Sequence, residues 1–148
     1  MDKKLEAITF EQCAQDDISK IYADWVDGEY RGLVLRGPGS VNAYIGIRSD
    51  HPLYGMDYDD IPIDCHGGLT FAREGNGDIW PSGYWWYGWD YSHAGDAVFY
   101  DISRGFDTYG DEKWTPYRVQ KEANWVIHEL QRLTELIHTC INNARTAK

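Results

Sequence analysis

Thr115-Pro116-Tyr117-Arg118-Val119 opens the run TPYRVQKEANWVIHELQRLTELIHTC, residues 115–140, whose reading decides the fold. Thr115 is a side-chain cap for the first free amides of a helix, and Pro116 suits the first helical position, where no amide hydrogen is needed. Behind them Val119, Ala123, Val126, Leu130, Leu133, Ile137 and Cys140 recur at steps of four and three. That spacing draws one apolar stripe along a long helix. Such a stripe usually lies on a sheet. A homodimer seam is its second use, although the pattern runs for only about three heptads.

The sheet is written upstream. Tyr30-Arg31-Gly32-Leu33-Val34-Leu35 and Val41-Asn42-Ala43-Tyr44-Ile45-Gly46-Ile47 flank the breaker Gly37-Pro38-Gly39, which reads as a β-hairpin. Tyr84 to Trp89 is a strand of almost continuous aromatics, and Ile63 to Phe71 is a short strand interrupted by Gly67-Gly68, with Glu74 to Asp78 a turn between them. Ile18, Ile21, Tyr22 and Trp25 recur at helical spacing, so a short N-terminal helix is predicted over 11–26, stopped by Gly28. The expected fold is α+β: a small, mainly antiparallel sheet packed against a long C-terminal helix, with a short N-terminal helix. No repeat, low-complexity tract or linker interrupts the chain, so residues 1–148 are read as a single domain.

Composition narrows the partners. With 43% hydrophobic and 15% aromatic residues the chain can build a core and is no disordered tail. A net charge of −10 argues against nucleic-acid binding, which needs a Lys/Arg surface to displace counterions. Asp50, Asp57, Asp59, Asp60 and Asp64 stand in a stretch without Lys or Arg, so half of that charge is local. This favours one acidic site over whole-surface mimicry of DNA. No stretch approaches the roughly 20 apolar residues of a membrane helix, and the first residues lack the apolar run of a signal peptide. A cytoplasmic protein is expected. Cys13, Cys65 and Cys140 are widely spaced and form no CxxC pair, so they read as reduced thiols.

Chemistry concentrates between residues 51 and 96. Asp90, His93 and Asp96 fall at i, i+3 and i+6, a spacing that converges if the segment turns helically. Two carboxylates and an imidazole suit a divalent metal, or fix His93 as a base; the plain alternative is a capped turn with a hydrogen-bonded histidine. Cys65-His66-Gly67-Gly68-Leu69-Thr70 sets paired glycines after a histidine, which reads as an amide nest for an anion or as a β-bulge. Cys65 and His66 are sequence neighbours on an expected strand and point to opposite faces, which disfavours a cysteine nucleophile. His51-Pro52-Leu53-Tyr54-Gly55, followed by the aspartates, reads as a lid or a solvated loop; the spacing lacks the glycine and glutamate of a calcium-binding EF-hand loop. On the aromatic strand Trp85, Tyr87 and Trp89 share one face, while Tyr84, Trp86 and Asp90 share the other, which reads as a ligand wall.

The strings His51-Pro52-Leu53-Tyr54-Gly55, His66-Gly67-Gly68-Leu69-Thr70 and Trp85-Trp86-Tyr87-Gly88-Trp89-Asp90-Tyr91-Ser92-His93-Ala94-Gly95-Asp96 together resemble a family of small proteins encoded by tailed bacteriophages and prophages. Its pattern runs HPLxG, then HGGLT, then WWxGxDxxHxxD, then a closing helix, and the match covers roughly residues 41–136. The resemblance implies a phage accessory setting and that the three segments belong together. It supplies no reaction.

Three functions compete on these residues. The first is binding of a small nucleotide-type ligand, for instance a host immune signal, through His51, Tyr54, Gly67, Gly68, Thr70, Trp86, Asp90 and His93. The second is a metal-dependent, phosphodiesterase-like hydrolase with His66, Asp90, His93 and Asp96 as its catalytic set. The third is an inhibitor that docks its acidic loop on a defence protein. No pattern fixes a metal or names a cofactor.

Overall fold

A computed structural model describes residues 3–106, 108 and 110–147. The hairpin read from the sequence is present as β2 (Tyr30–Arg36) and β3 (Val41–Ile47), turned at Gly37, whose amide donates to Ser40 O at 2.7 Å. β1 (Ile21–Asp27), β4 (Phe71–Glu74) and β5 (Trp85–Trp89) complete a five-stranded sheet in the order β1-β2-β3-β5-β4, with every neighbouring pair antiparallel. α1 (Lys3–Glu6) and α2 (Phe10–Ala14) precede the sheet, α3 (Phe99–Ser103) follows it, and α4 (Pro116–Thr146) closes the chain. The expected sheet and long helix are both there.

The short N-terminal helix is there as well, but it does not run over 11–26. It is confined to α2, which ends at Ala14, and residues 21–27 are edge strand β1. The signal read as a helix stop is a hairpin turn: Asp27 pairs with Tyr30, and Gly28, at φ +60°, supplies the left-handed conformation that a two-residue hairpin needs at its first central position. Trp25 pairs across the ladder with Gly32, and a Cβ at Gly32 would stand 2.3 Å from the indole. A ring seated over a cross-strand glycine outweighs a weak helical period. The strand expected over 63–71 also shrinks, because β4 begins only at Phe71 and residues 61–70 run as irregular chain.

α4 starts as expected, with Thr115 Oγ1 accepting the Arg118 amide and Pro116 in the first turn. Pro116, Val119, Ala123, Val126, Ile127 and Leu130 are buried against a face built from Val34, Val41, Ala43, Ile45, Ile47, Tyr87 and Trp89. Burial fades beyond Leu130: Leu133 and Ile137 are half-covered, and Cys140 is exposed. The opposite sheet face carries its own smaller core, in which Leu33, Leu35 and Trp86 pack with Tyr44, Phe71, Ile79, Trp80 and Tyr84. The N-terminal segment is anchored by buried Arg36, whose guanidinium donates to Cys13 O, Ala14 O, Gly37 O and Pro38 O and stacks 4.1 Å from the Phe99 ring.

Leu130→Ala removes a side chain from the middle of the principal core and is expected to cost about 2–5 kcal/mol. Leu136→Ala, on the exposed flank of the same helix at 54% exposure, should stay within about 0.5 kcal/mol of the parent. Urea unfolding of both variants checks the docking face of α4; equal losses would contradict it.

Candidate functional site

Between the end of β5 and the start of α4 the chain brings His66, Asp90, His93 and Asp96 together. The segment carrying His66 is a turn closed by Gly68 N donating to Cys65 O at 2.9 Å. Its third residue, Gly67, has φ +69°, the sign a type II turn demands there. Gly67 is required twice over, because a Cβ on it would lie 2.1 Å from His93 Nε2. Gly68 also has a positive φ, +81°, but meets nothing. Here a tight turn replaces the expected bulge or amide nest: the His66 amide donates to Glu122 Oε2 at 3.2 Å and so is already committed.

The His66 ring is clamped. Tyr91 stacks on it at 4.7 Å, Trp114 flanks it at 4.8 Å, and His93 meets it edge-on at 5.6 Å between ring centres. Its Nε2 donates to Asp96 Oδ2 at 2.7 Å. That carboxylate is 8% exposed, and it also accepts from the His93 amide and from Trp114 Nε1. Burial pushes the Asp96 pKa up, but the His66, His93 and Trp114 donors outweigh it and hold the carboxyl below its ordinary range. An ionised Asp96 fixes His66 in the tautomer with its proton on Nε2, and Nδ1 keeps a lone pair with no partner among the described residues.

His93 forms a second, looser pair. Its Nε2 lies 3.2 Å from Asp90 Oδ1, but the atom is buried against Gly67 without an aligned hydrogen-bond partner. The contact is therefore an ion pair when His93 carries a proton and little else when it does not. Asp90 Oδ1 accepts the Ser92 amide at 3.1 Å, which turns the chain out of β5. Both histidines keep an open edge, with side chains 25% and 36% exposed.

Several partners in this site carry no clear mark in the sequence. Glu122 of α4 accepts from Trp89 Nε1 at 3.1 Å, from the Tyr91 hydroxyl and from the His66 amide. Its one local signal is a carboxylate between Val119 and Ala123, flanking an apolar stripe. Burial, with the Glu122 hydrogen bond added to it, raises the Tyr91 pKa and keeps the phenol a neutral donor. Burial and the carboxylates of Glu122 and Asp64 push the Cys65 thiol up to about 12, which leaves it protonated and a poor nucleophile.

Beside Asp90 the surface opens into a recess of about 280 Å³ lined by Asn42, Tyr44, Thr70, Phe71, Trp89 and Asp90. Thr70 thus lines it, and Tyr44 and Phe71 supply its aromatic wall. Trp86 does not, because it is fully buried in the outer-face core with Nε1 donating to Pro81 O. The face read as a ligand wall is covered by Trp80 and Ile79 from the β4–β5 connection, packing that the strand's own alternation could not reveal. His51 and Tyr54 also lie apart. His51 is buried, accepts the Leu53 amide on Nδ1, and its Nε2 meets Tyr30 and Thr134, so it ties the loop to β2 and α4. Tyr54 packs on Trp85 and reaches Glu74. The loop aspartates Asp50, Asp57, Asp59, Asp60 and Asp64 are all exposed, as on a solvated surface.

Among the described residues no group of three or more His, Cys, Asp or Glu side chains is arranged to hold a metal ion. The reason is local: both Asp96 oxygens already face donors, and Asp90 and Asp96 each address a different histidine. Compared with protein-family models, characterised proteins and solved structures, the chain matches none.

Gly67→Ala should destabilise more than Gly68→Ala, since both carry the left-handed penalty of roughly 1–2 kcal/mol but only the first drives a methyl into His93. Equal losses in urea unfolding would remove the close approach as a cause.

A pH test isolates His51. Burial, opposed by Glu29 and Asp50, lowers its pKa in the folded chain. Between that lowered value and about 6.5 the unfolded chain binds the proton that the folded chain refuses, so stability rises with pH across that window. Stability should therefore be fully present above about pH 6.5 and fall on acidification, well before Asp96 begins to lose its own contribution near about pH 4. His51→Asn, which keeps an acceptor for the Leu53 amide but cannot titrate, should flatten the slope between about pH 7 and pH 5.

Proposed function

We propose that this protein binds a small nucleotide-type ligand in the recess beside Asp90. The observation that carries this reading is the composition of that recess: two aromatic rings, a threonine hydroxyl and a partly exposed carboxylate around a space of about 280 Å³. That volume lies at the lower edge of the roughly 300–1,000 Å³ usual for small-molecule sites, room for one nucleoside-sized group. Tyr44 and Phe71 give a base a ring surface, Thr70 has an unpaired hydroxyl among the described residues, and Asp90 is placed to accept from a ribose diol. Among the described residues no Lys or Arg lines the recess, which disfavours a polyphosphate and favours the nucleoside end of the ligand. In the phage accessory setting that the resemblance implies, such a binder would act by sequestering a nucleotide-type signal of host immunity.

Thermal unfolding with adenosine, ADP-ribose and a cyclic adenine dinucleotide tests the reading. At a hundredfold excess over Kd a ligand specific to the folded chain adds about 2.7 kcal/mol. Asp90→Asn should weaken binding at least tenfold while melting close to the parent, and Tyr44→Leu, which also gives up ring packing on Phe71 and Trp80, should weaken it as much at a lower melting temperature. If Asp90→Ala instead melts as low as Leu130→Ala, the carboxylate is a structural brace and the proposal fails. It fails equally if no compound of this class shifts the melting temperature at millimolar concentration.

A further inference from the structure

We infer that His66 and His93 form an acid–base pair that cleaves a ribonucleoside phosphodiester bond beside the recess, with the substrate's own 2′-hydroxyl as nucleophile. The inference rests on the recess reading, since the substrate is a ligand held there. It differs from the hydrolase expected from the sequence in that the two histidines work through their own protons, not through a metal.

Three observations converge. Each imidazole turns its Nε2 inward to a carboxylate, His66 to Asp96 at 2.7 Å and His93 to Asp90 at 3.2 Å. Neither Nδ1 has a partner among the described residues, and both rings keep exposed surface, so the outward nitrogens are the available ones. The two rings meet edge-on with their centres 5.6 Å apart, so both imidazoles border one small volume.

The partners divide the roles. Asp96 is buried and held by three donors, so it fixes the His66 tautomer and leaves Nδ1 as a lone pair, the general base. Asp90 stands beside the His93 Nε2 in the geometry of an ion pair with a protonated ring, the general acid. Imidazole is the side chain that occurs in both forms near neutral pH, so one proton shared between two rings is an accessible state. That proton also supplies positive charge for one phosphodiester anion beside a recess that no described Lys or Arg lines. Two nearby protein groups are poor nucleophiles: the Cys65 thiol is held protonated, and the Ser92 hydroxyl is bonded to Ser40 Oγ. The substrate's own 2′-hydroxyl fills that role.

The step balances. His66 Nδ1 takes the proton of the 2′-hydroxyl as its oxygen bonds to phosphorus. The bond from phosphorus to the 5′-oxygen breaks with its electron pair, and His93 Nδ1–H delivers a proton to that oxygen. The products are a nucleoside 2′,3′-cyclic phosphate and a free 5′-hydroxyl, and solvent exchange returns each histidine to its starting form.

The test is incubation of the purified chain with adenylyl-(3′→5′)-adenosine and with its 2′-deoxy counterpart, in EDTA, followed by chromatography. Equal amounts of adenosine 2′,3′-cyclic phosphate and adenosine are expected from the first and nothing from the second, with a bell-shaped pH dependence. H66N and H93N should each lower the rate at least about a hundredfold, the lower bound of a lost acid or base. Calorimetric binding of the dinucleotide without products would overturn the inference and leave the recess reading standing. Absence of both binding and products would remove both. Cleavage of the deoxy analogue, abolition by EDTA, or unchanged rates in H66N and H93N would each overturn the two-histidine route.

Discussion

One carboxylate from the long helix holds the histidine-bearing end of this molecule in place. Glu122 takes hydrogen bonds from the Trp89 indole, the Tyr91 hydroxyl and the His66 amide, joining α4 to the end of β5 and to the Cys65–Gly68 turn. Hydrogen bonds to a charged acceptor are stronger than neutral ones, and leaving a partly buried donor unmatched is costly. With the indole, phenol and amide fixed, the Tyr91 ring lies flat on His66, and His66 is turned so that Nε2 meets Asp96. The orientation of the imidazole pair is thus set from the helix side, by a residue that touches neither outward nitrogen.

Legibility follows the range of the forces involved. The long helix is legible because cap, proline and apolar stripe are local and all agree, and the β2–β3 hairpin because two apolar runs bracket a breaker. The segment over 11–26 misleads because four apolar residues at helical spacing compete with a pairing that only the neighbouring strand reveals: Trp25 against Gly32. The same limit governs the site. Asp90, His93 and Asp96 are legible as a set from spacing alone, and His66 from its glycines, since these are short-range signals. Tyr44 lies far upstream of Asp90, and Trp114 and Glu122 lie well downstream of it, so nothing but the fold brings them near. Trp86 and His51 read as site residues because an aromatic or an imidazole next to a motif looks available; burial decides otherwise.

A sheet with apolar packing on both faces explains where the opening lies. α4 covers one face, and the Trp80–Trp86–Tyr84 cluster covers much of the other. The recess opens at the margin of that second cluster, beside Tyr44 and Phe71, where β5 ends and Asp90 turns the chain away. Aromatic walls there are the rim of a core, held rigid by edge-to-face contacts of 5.2 Å between Tyr44 and Phe71 and 5.6 Å between Tyr44 and Trp80. Rigid rings cost a ligand little ordering entropy.

The half of α4 beyond Leu130 has its own thermodynamic consequence. Gln131 to Thr146 continues the helix for roughly 24 Å at about 1.5 Å per residue, with little of its surface covered. An isolated helix of about 12–15 residues is marginal in water, so this half draws its order from the docked turns before it. Its amides should exchange with deuterium on a gradient, fastest near Arg145 and slowing toward Leu130, where opening a turn begins to expose the core. The helix is thus one continuous element with two stabilities, and a protease would cut its uncovered turns before it reached those docked on the sheet.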